Sequence, residues 1–101
     1  MGETRSSDKK NSIVEAELLL VNRQGLHARP SQMVVNLANK FISQIRLSKD
    51  DQEVDAKSIM GVMMLAAEKG TSLKVKAEGP DAEEAVAALK ELFASGFGEE
   101  I

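Results

Sequence analysis

The sequence predicts an α+β fold of two layers, with helices on one face of a sheet. Strand-like alternation of apolar and polar residues recurs in separated stretches, helical spacing of apolar residues fills the segments between and after them, and Gly, Pro, Asp and Asn punctuate the joins. The alternating stretches are apolar on one side only, so one sheet face should be buried under helices and the other wet. At 101 residues the chain is one domain, with room for a single core and none for a separate catalytic unit. The expected order is β-α-β-β-α-β-α.

Met1 to Ser12 carries no apolar residue after Met1 and is expected to be a disordered N-terminal extension, leaving residues 13–101 as the folded domain. From Ile13 to Val21, Val14, Ala16, Leu18 and Leu20 alternate with Glu15 and Glu17 in the period of a half-buried strand that ends at Asn22-Arg23-Gln24-Gly25. A helix is predicted from Ala28 to about Lys40, because Met33, Val34, Leu37, Ala38 and Phe41 fall on one stripe. Phe41, Ser43, Ile45 and Leu47 then alternate with Gln44, Arg46 and Ser48 as a second strand, and Glu53 to Ala56 reads as a short third one after the turn Lys49-Asp50-Asp51-Gln52. Ser58 is a good N-cap for a short helix through about Glu68, with Gly70 as its stop. Leu73, Val75 and Ala77 alternate with Lys74, Lys76 and Glu78 in the fourth strand, which Gly79-Pro80 ends. Asp81 with Glu84 three residues later has the form of a capping box, and Ala82, Ala85, Val86, Leu89, Leu92 and Phe93 trace the buried side of the last helix.

Composition excludes several kinds of function. Lys+Arg of 13 against Asp+Glu of 16 leaves a net charge of -3, and three Phe with no Trp or Tyr leave no platform for stacking bases, so nucleic acid is not an expected partner. With no Cys and one His there is no thiolate nucleophile, disulfide framework or multi-His metal site. The seven glycines are scattered, with no phosphate-cradling run after a strand, so no nucleotide cofactor is expected. Asp50-Asp51 and Glu83-Glu84 read as solvated surface, since adjacent carboxylates point apart. No apolar run is long enough to span a membrane and the N-terminus lacks a signal-peptide core, so the expectation is a cytoplasmic protein, acting as a monomer, with no metal, no cofactor and no membrane insertion.

One stretch stands out, Gln24-Gly25-Leu26-His27-Ala28-Arg29-Pro30, which sets the single histidine at a helix start between a glycine turn and a proline. A helix start offers unpaired N–H groups and a positive dipole end to an anion, neutral imidazole is a nucleophile, and Arg29 adds a permanently charged planar donor. Together they suit a phosphoryl group carried on His27 and stabilised by Arg29 and the backbone N–H groups of Ala28 and Arg29. A lone histidine at this place is more often a helix cap or a satisfied surface residue, and Pro30 is ordinary in a first turn.

The run Gly25-Leu26-His27-Ala28-Arg29-Pro30 resembles the active-site signature of the HPr family, the histidine-containing phosphocarriers of the phosphoenolpyruvate-dependent phosphotransferase system (PTS). A second run, Lys57-Ser58-Ile59-Met60-Gly61-Val62-Met63, resembles that family's regulatory-serine segment and lies at its usual distance downstream. The likeness continues through Ala66-Ala67-Glu68-Lys69-Gly70 and Ala77-Glu78-Gly79-Pro80-Asp81, covering about Ile13 to Phe93. It implies an open-faced sandwich with an antiparallel sheet in the order 1-4-2-3. It also implies that His27 takes a phosphoryl group, on Nδ1, from phosphorylated enzyme I and passes it to the A domain of a sugar permease or another acceptor. The chain would then be a stoichiometric carrier rather than an enzyme. Ser58 would be a regulatory phosphorylation site for an HPr kinase/phosphorylase, with a transcriptional regulator as a partner of the phospho form. Ile59, Met60 and Met63 are expected beside the His27 turn as an apolar docking patch, rimmed by Arg29, Arg23 and Lys57; a two-turn helix cannot bury three Met along with Ile59, Val62 and Leu65. The alternative is a regulatory or interaction module of the nitrogen-branch type, without sugar transport. A hydrolase using His27 as base is weaker, as no nucleophile or orienting carboxylate lies nearby in sequence.

Overall fold

In the computed structural model, which describes residues 12–101, the strand β1 runs over Ile13–Leu19 and buries the Val14, Ala16, Leu18 side of its alternation. The expected extension lies outside the described residues apart from Ser12, whose carbonyl accepts from the Gly79 N–H at 2.9 Å. The helix α1 follows at Ala28–Ala38, then β2 at Gln44–Lys49, β3 at Gln52–Asp55, α2 at Ile59–Met64, β4 at Ser72–Glu78 and α3 at Ala82–Ala94. The four strands form one antiparallel sheet in the order β1-β4-β2-β3. This is the α+β open-faced sandwich: three helices cover one face.

Register explains why that face is apolar. Ala16 and Leu47 both oppose Val75, Leu18 opposes Leu73, and Ile45 opposes Ala77, so the inward residues of β1, β4 and β2 form continuous rows. Against them pack Val34, Val35 and Ala38 of α1, Val62 of α2, and Ala82, Ala85, Val86, Leu89 and Phe93 of α3. On the wet face Glu15 opposes Lys76 and Glu17 opposes Lys74, cross-strand pairs of opposite charge that suit a solvated sheet surface.

Several boundaries depart from the sequence expectation for identifiable reasons. The helix α2 ends at Met64 and not near Glu68: the Leu65 and Ala66 N–H groups bond three residues back to Val62 and Met63, and Ala66 takes φ 48, which no helix continues through. Gly70 is therefore no helix stop; its N–H donates to the Leu20 carbonyl at 2.8 Å in the turn that feeds β4. Phe41 to Ser43 precede β2 and do not belong to it. Asp81 makes no capping box, because its carboxylate is spent across the molecule on the backbone N–H groups of Ile42 and Ser43, each at 2.9 Å, and on the Ser43 hydroxyl at 2.5 Å. Those donors hold its carboxyl below the ordinary carboxylate value, the Ser43 hydroxyl foremost.

The pairing of α1 and α2 positions the site. The Asn39 side chain donates to the Lys57 carbonyl at 3.3 Å, joining the end of α1 to the start of α2, and the Leu26 N–H donates to the Ala67 carbonyl at 2.9 Å, joining the loop before α1 to the loop after α2. The two helices thus run antiparallel. Past α3, a single 3-10 turn at Gly96–Gly98 sends the chain end back over the loop between β1 and α1.

Candidate functional site

The loop between β1 and α1 is built around Gly25, which adopts φ +63 where its missing side chain faces the Ala67 carbonyl oxygen and lies 2.8 Å from Glu68 Cα. Only glycine fits there. Asn22, fully buried, donates from Nδ2 to the Gly25 carbonyl at 2.9 Å, and Leu26 beside it is inserted into the core. Ser31, also buried, returns its hydroxyl to the Leu26 carbonyl at 3.0 Å. These contacts fix where His27 leaves the loop.

His27 is the N-cap residue of α1 in extended backbone geometry, and its side chain makes no capping bond. The imidazole is instead turned outward, 35 % exposed, so the simple cap reading fails. The Ala28 and Arg29 N–H groups lie in the first turn of α1, outside the i to i−4 ladder, and Pro30 carries none. The ring's neighbour is a residue that sequence reasoning missed: Nε2 of His27 lies 3.0 and 3.1 Å from the two oxygens of Glu99. Arg29 joins them through one nitrogen, Nη1, which donates to Glu99 Oε2 at 2.8 Å and to the Phe97 carbonyl at 3.1 Å. Asn22 Nδ2 completes the group by donating to Glu99 Oε1 at 3.0 Å. Glu99 is only 18 % exposed, and these donors, the His27 contact foremost, hold its carboxyl below the usual value.

Glu99 arrives there on a strained but anchored segment. Gly96, Phe97 and Gly98 take φ values of 65, 58 and 72, and the fully buried Phe97 ring meets Phe93 edge-on at 5.0 Å. A left-handed phenylalanine costs about 1–2 kcal/mol, which burial of its ring offsets. The Arg23 N–H then donates to the Glu100 carbonyl at 2.7 Å, and its guanidinium pairs with the Glu100 carboxylate at 3.3 Å. The sequence signal that marks this segment is an aromatic residue between two glycines just past an amphipathic helix.

The remaining predicted residues divide between two ends of α1. Arg23 and Arg29 share the His27 end. Lys57 and Ser58 do not: the Lys57 ammonium donates to the Phe41 carbonyl at 2.7 Å, beyond the C-terminal end of α1, roughly 16 Å from His27 by helix rise. Of the three basic residues expected around the apolar patch, Lys57 thus stands at the opposite end of α1 from Arg23 and Arg29. Ser58 caps α2, its hydroxyl accepting from the Gly61 N–H at 3.2 Å. Ile59 is partly buried against the core, while Met60 is 72 %, Met63 43 % and Met64 64 % exposed. The apolar surface of α2 is thus carried by methionines, with Met64 added to the expected set.

The depression beside the histidine, lined by Arg23, Gln24, Glu99 and Glu100, measures about 200 Å³. Small-molecule sites generally occupy about 300–1,000 Å³, so this depression is small for one. An open-faced α+β sandwich that presents one imidazole at a helix start, flanked by an arginine, is the class that the fold and the site define.

Comparison with known proteins agrees with that class. The family profile described as the PTS HPr component phosphorylation site matches residues 14–95. The phosphocarrier protein HPr of Cupriavidus necator is 46 % identical over 86 % of this chain and 98 % of its own, and that of Treponema pallidum is 47 % identical over 80 % and 92 %. A crystal structure of HPr from Thermoanaerobacter tengcongensis superposes with a TM-score of 0.84 at 49 % identity, covering 87 % of this chain and 99 % of that one. The chain belongs to the HPr family of PTS phosphocarriers.

Proposed function

We propose that His27 accepts a phosphoryl group from the phosphorylated histidine of enzyme I and delivers it to the A domain of a sugar permease or another PTS acceptor. The observation that carries this reading is the convergence of an exposed imidazole, the Arg29 guanidinium and the first turn of α1 at one point of the surface. Phosphoryl transfer needs in-line positioning and charge stabilisation more than covalent chemistry. Arg29 and the N–H groups of Ala28 and Arg29 supply the second, and the docked partner supplies the rest. The chain is consumed and regenerated stoichiometrically, so it is a carrier and not an enzyme in its own right. It works as a monomer in the cytoplasm, where enzyme I draws on phosphoenolpyruvate.

Docking uses Met60 and Met63 with Ile59 at their edge and Met64 beside them, and Arg23 and Arg29 meet acidic partner groups. Ser58 is the regulatory site: an HPr kinase/phosphorylase modifies it, and the phospho form also serves a transcriptional regulator. Incubation with enzyme I and phosphoenolpyruvate should place an acid-labile phosphoryl group on the chain and none on His27→Ala. A wild-type chain that stays unmodified, or a His27→Ala chain that is modified, refutes the reading.

A further inference from the structure

The chemistry proposed for His27 needs a lone pair on one ring nitrogen, aimed outward, and a proton kept on the other. Neutral imidazole exists as two tautomers, and whichever nitrogen donates a hydrogen bond leaves the other as the nucleophile. A carboxylate can only accept. Glu99 presents both of its oxygens to Nε2, at 3.0 and 3.1 Å, and its carboxyl is held in the ionised form by the same contacts. Asn22 and Arg29 are donors toward Glu99 as well, so each polar group around this carboxylate treats it as an acceptor. The Asn22 orientation is not arbitrary, since the same Nδ2 also donates to the Gly25 carbonyl and a flipped amide would set oxygen against oxygen twice.

From this geometry we infer that Glu99 is a positioning residue for phosphoryl transfer, holding the proton of His27 on Nε2 so that Nδ1 carries the attacking lone pair. The inference rests on the carrier function proposed above. In the step itself the Nδ1 lone pair forms a bond to phosphorus while the P–N bond of the donor phosphohistidine breaks, its electron pair returning to the donor ring. No proton has to leave His27, because the Nε2–H is retained, and the ring that results is an imidazolium facing Glu99. The carboxylate thus favours the starting tautomer and stabilises the positive ring that transfer creates. Delivery to an acceptor runs the step backwards with the same proton in place. Arg29 fits this division of labour: Nη1 alone serves Glu99 and Phe97, so the guanidinium tethers the carboxylate at one corner.

The absence of any other histidine makes the test direct. In the 15N-labelled full-length protein, above the pH at which the ring titrates, His27 should give one protonated-type Nε2 signal and one unprotonated-type Nδ1 signal. Glu99→Ala should move both toward the mixed values of free imidazole and slow phosphoryl transfer from enzyme I by about tenfold to a hundredfold. Glu99→Gln keeps the side-chain volume and loses the charge, and should be slowed to an intermediate degree; it decides the matter if the alanine variant fails to fold. Wild-type nitrogen signals in Glu99→Ala, or transfer at or above the wild-type rate in whichever variant folds, overturns the inference. A wild-type chain that takes no phosphoryl group refutes the carrier function and the transfer role with it, while the nitrogen signals still decide whether Glu99 sets the tautomer.

Discussion

At the scale of single residues, Arg29 and Gly25 show two different ways in which a position can be restricted. Arg29 is restricted by chemistry: a planar fork can hold Glu99 at one corner and still offer its remaining donors to a phosphoryl group, and a lysine replaces that fork with a point charge. Arg29→Ala should slow transfer without stopping it and Arg29→Lys should fall between, as measured with enzyme I and phosphoenolpyruvate; equal rates across the series remove Arg29 from the site. Gly25 is restricted by space and dihedral angle. Gly25→Ala combines a left-handed alanine with a collision against the backbone of Ala67 and Glu68, and should cost at least about 2 kcal/mol in denaturant unfolding. Because the collision lies under the loop that carries His27, transfer should fall as well.

At the scale of elements, the corner between α1 and β2 is held to the start of α3 by Asp81. Three donors from Ile42 and Ser43 bind its carboxylate, and the Asp81 N–H returns a bond to the Ser43 hydroxyl at 3.3 Å. Asp81→Ala should destabilise the fold by about 1–2 kcal/mol, the loss expected when part-buried and exposed donors give up a charged acceptor. The pH dependence has a definite sign. A carboxyl held below its ordinary value of 3.8 contributes stability that is present above that value and is lost as pH falls through the lower folded one. Asp81→Asn should therefore flatten the acid limb of a melting-temperature profile below about pH 4, and an unchanged acid limb would show that the carboxylate contributes nothing. Glu99, depressed in the same direction, adds a second acid-labile tie between the chain end and the His27 loop.

At the scale of the molecule, antiparallel α1 and α2 separate the two positions proposed for phosphorylation. Ser58 sits at the end of the pair remote from His27, so a phosphate there acts on the histidine weakly through solvent, with screening over about 8–10 Å. On the proposed function, its effect belongs to the surface that partners would cover. Phosphate at the α2 cap meets first-turn N–H groups and should leave the fold intact, whereas a dianion beside the exposed methionines must be desolvated on docking. Ser58→Asp should weaken enzyme I binding by more than about 1.4 kcal/mol, a tenfold effect, while Ser58→Ala costs about 1 kcal/mol of stability and leaves transfer intact. Met60→Glu should weaken docking in the same assay. A Ser58→Asp chain that accepts phosphoryl groups as fast as wild type rules out charge as the switch.

Local chemistry was enough to place most elements of this protein from its sequence, while the strand order came only with the family resemblance. Alternation in β1, β2 and β4 and the stripes of α1 and α3 follow from which side of each element meets the core, and that information lies within a few residues of itself. The His27 turn was legible for the same reason, since glycine, histidine, arginine and proline lie within six residues of one another. What the folded chain alone decided is where remote groups meet. Glu99 lies 72 residues from His27, and nothing near it announces a partner until the Gly96–Gly98 turn folds it back. Asp81 has the local form of a capping residue, yet three cross-molecular donors outcompete one bond within its own helix. The early end of α2 has the same origin: its helical pattern continues past Met64, but the tertiary bond from Leu26 to Ala67 requires the chain to turn. Periodicity records which face is buried; it carries no record of which distant carboxylate or carbonyl that face will find.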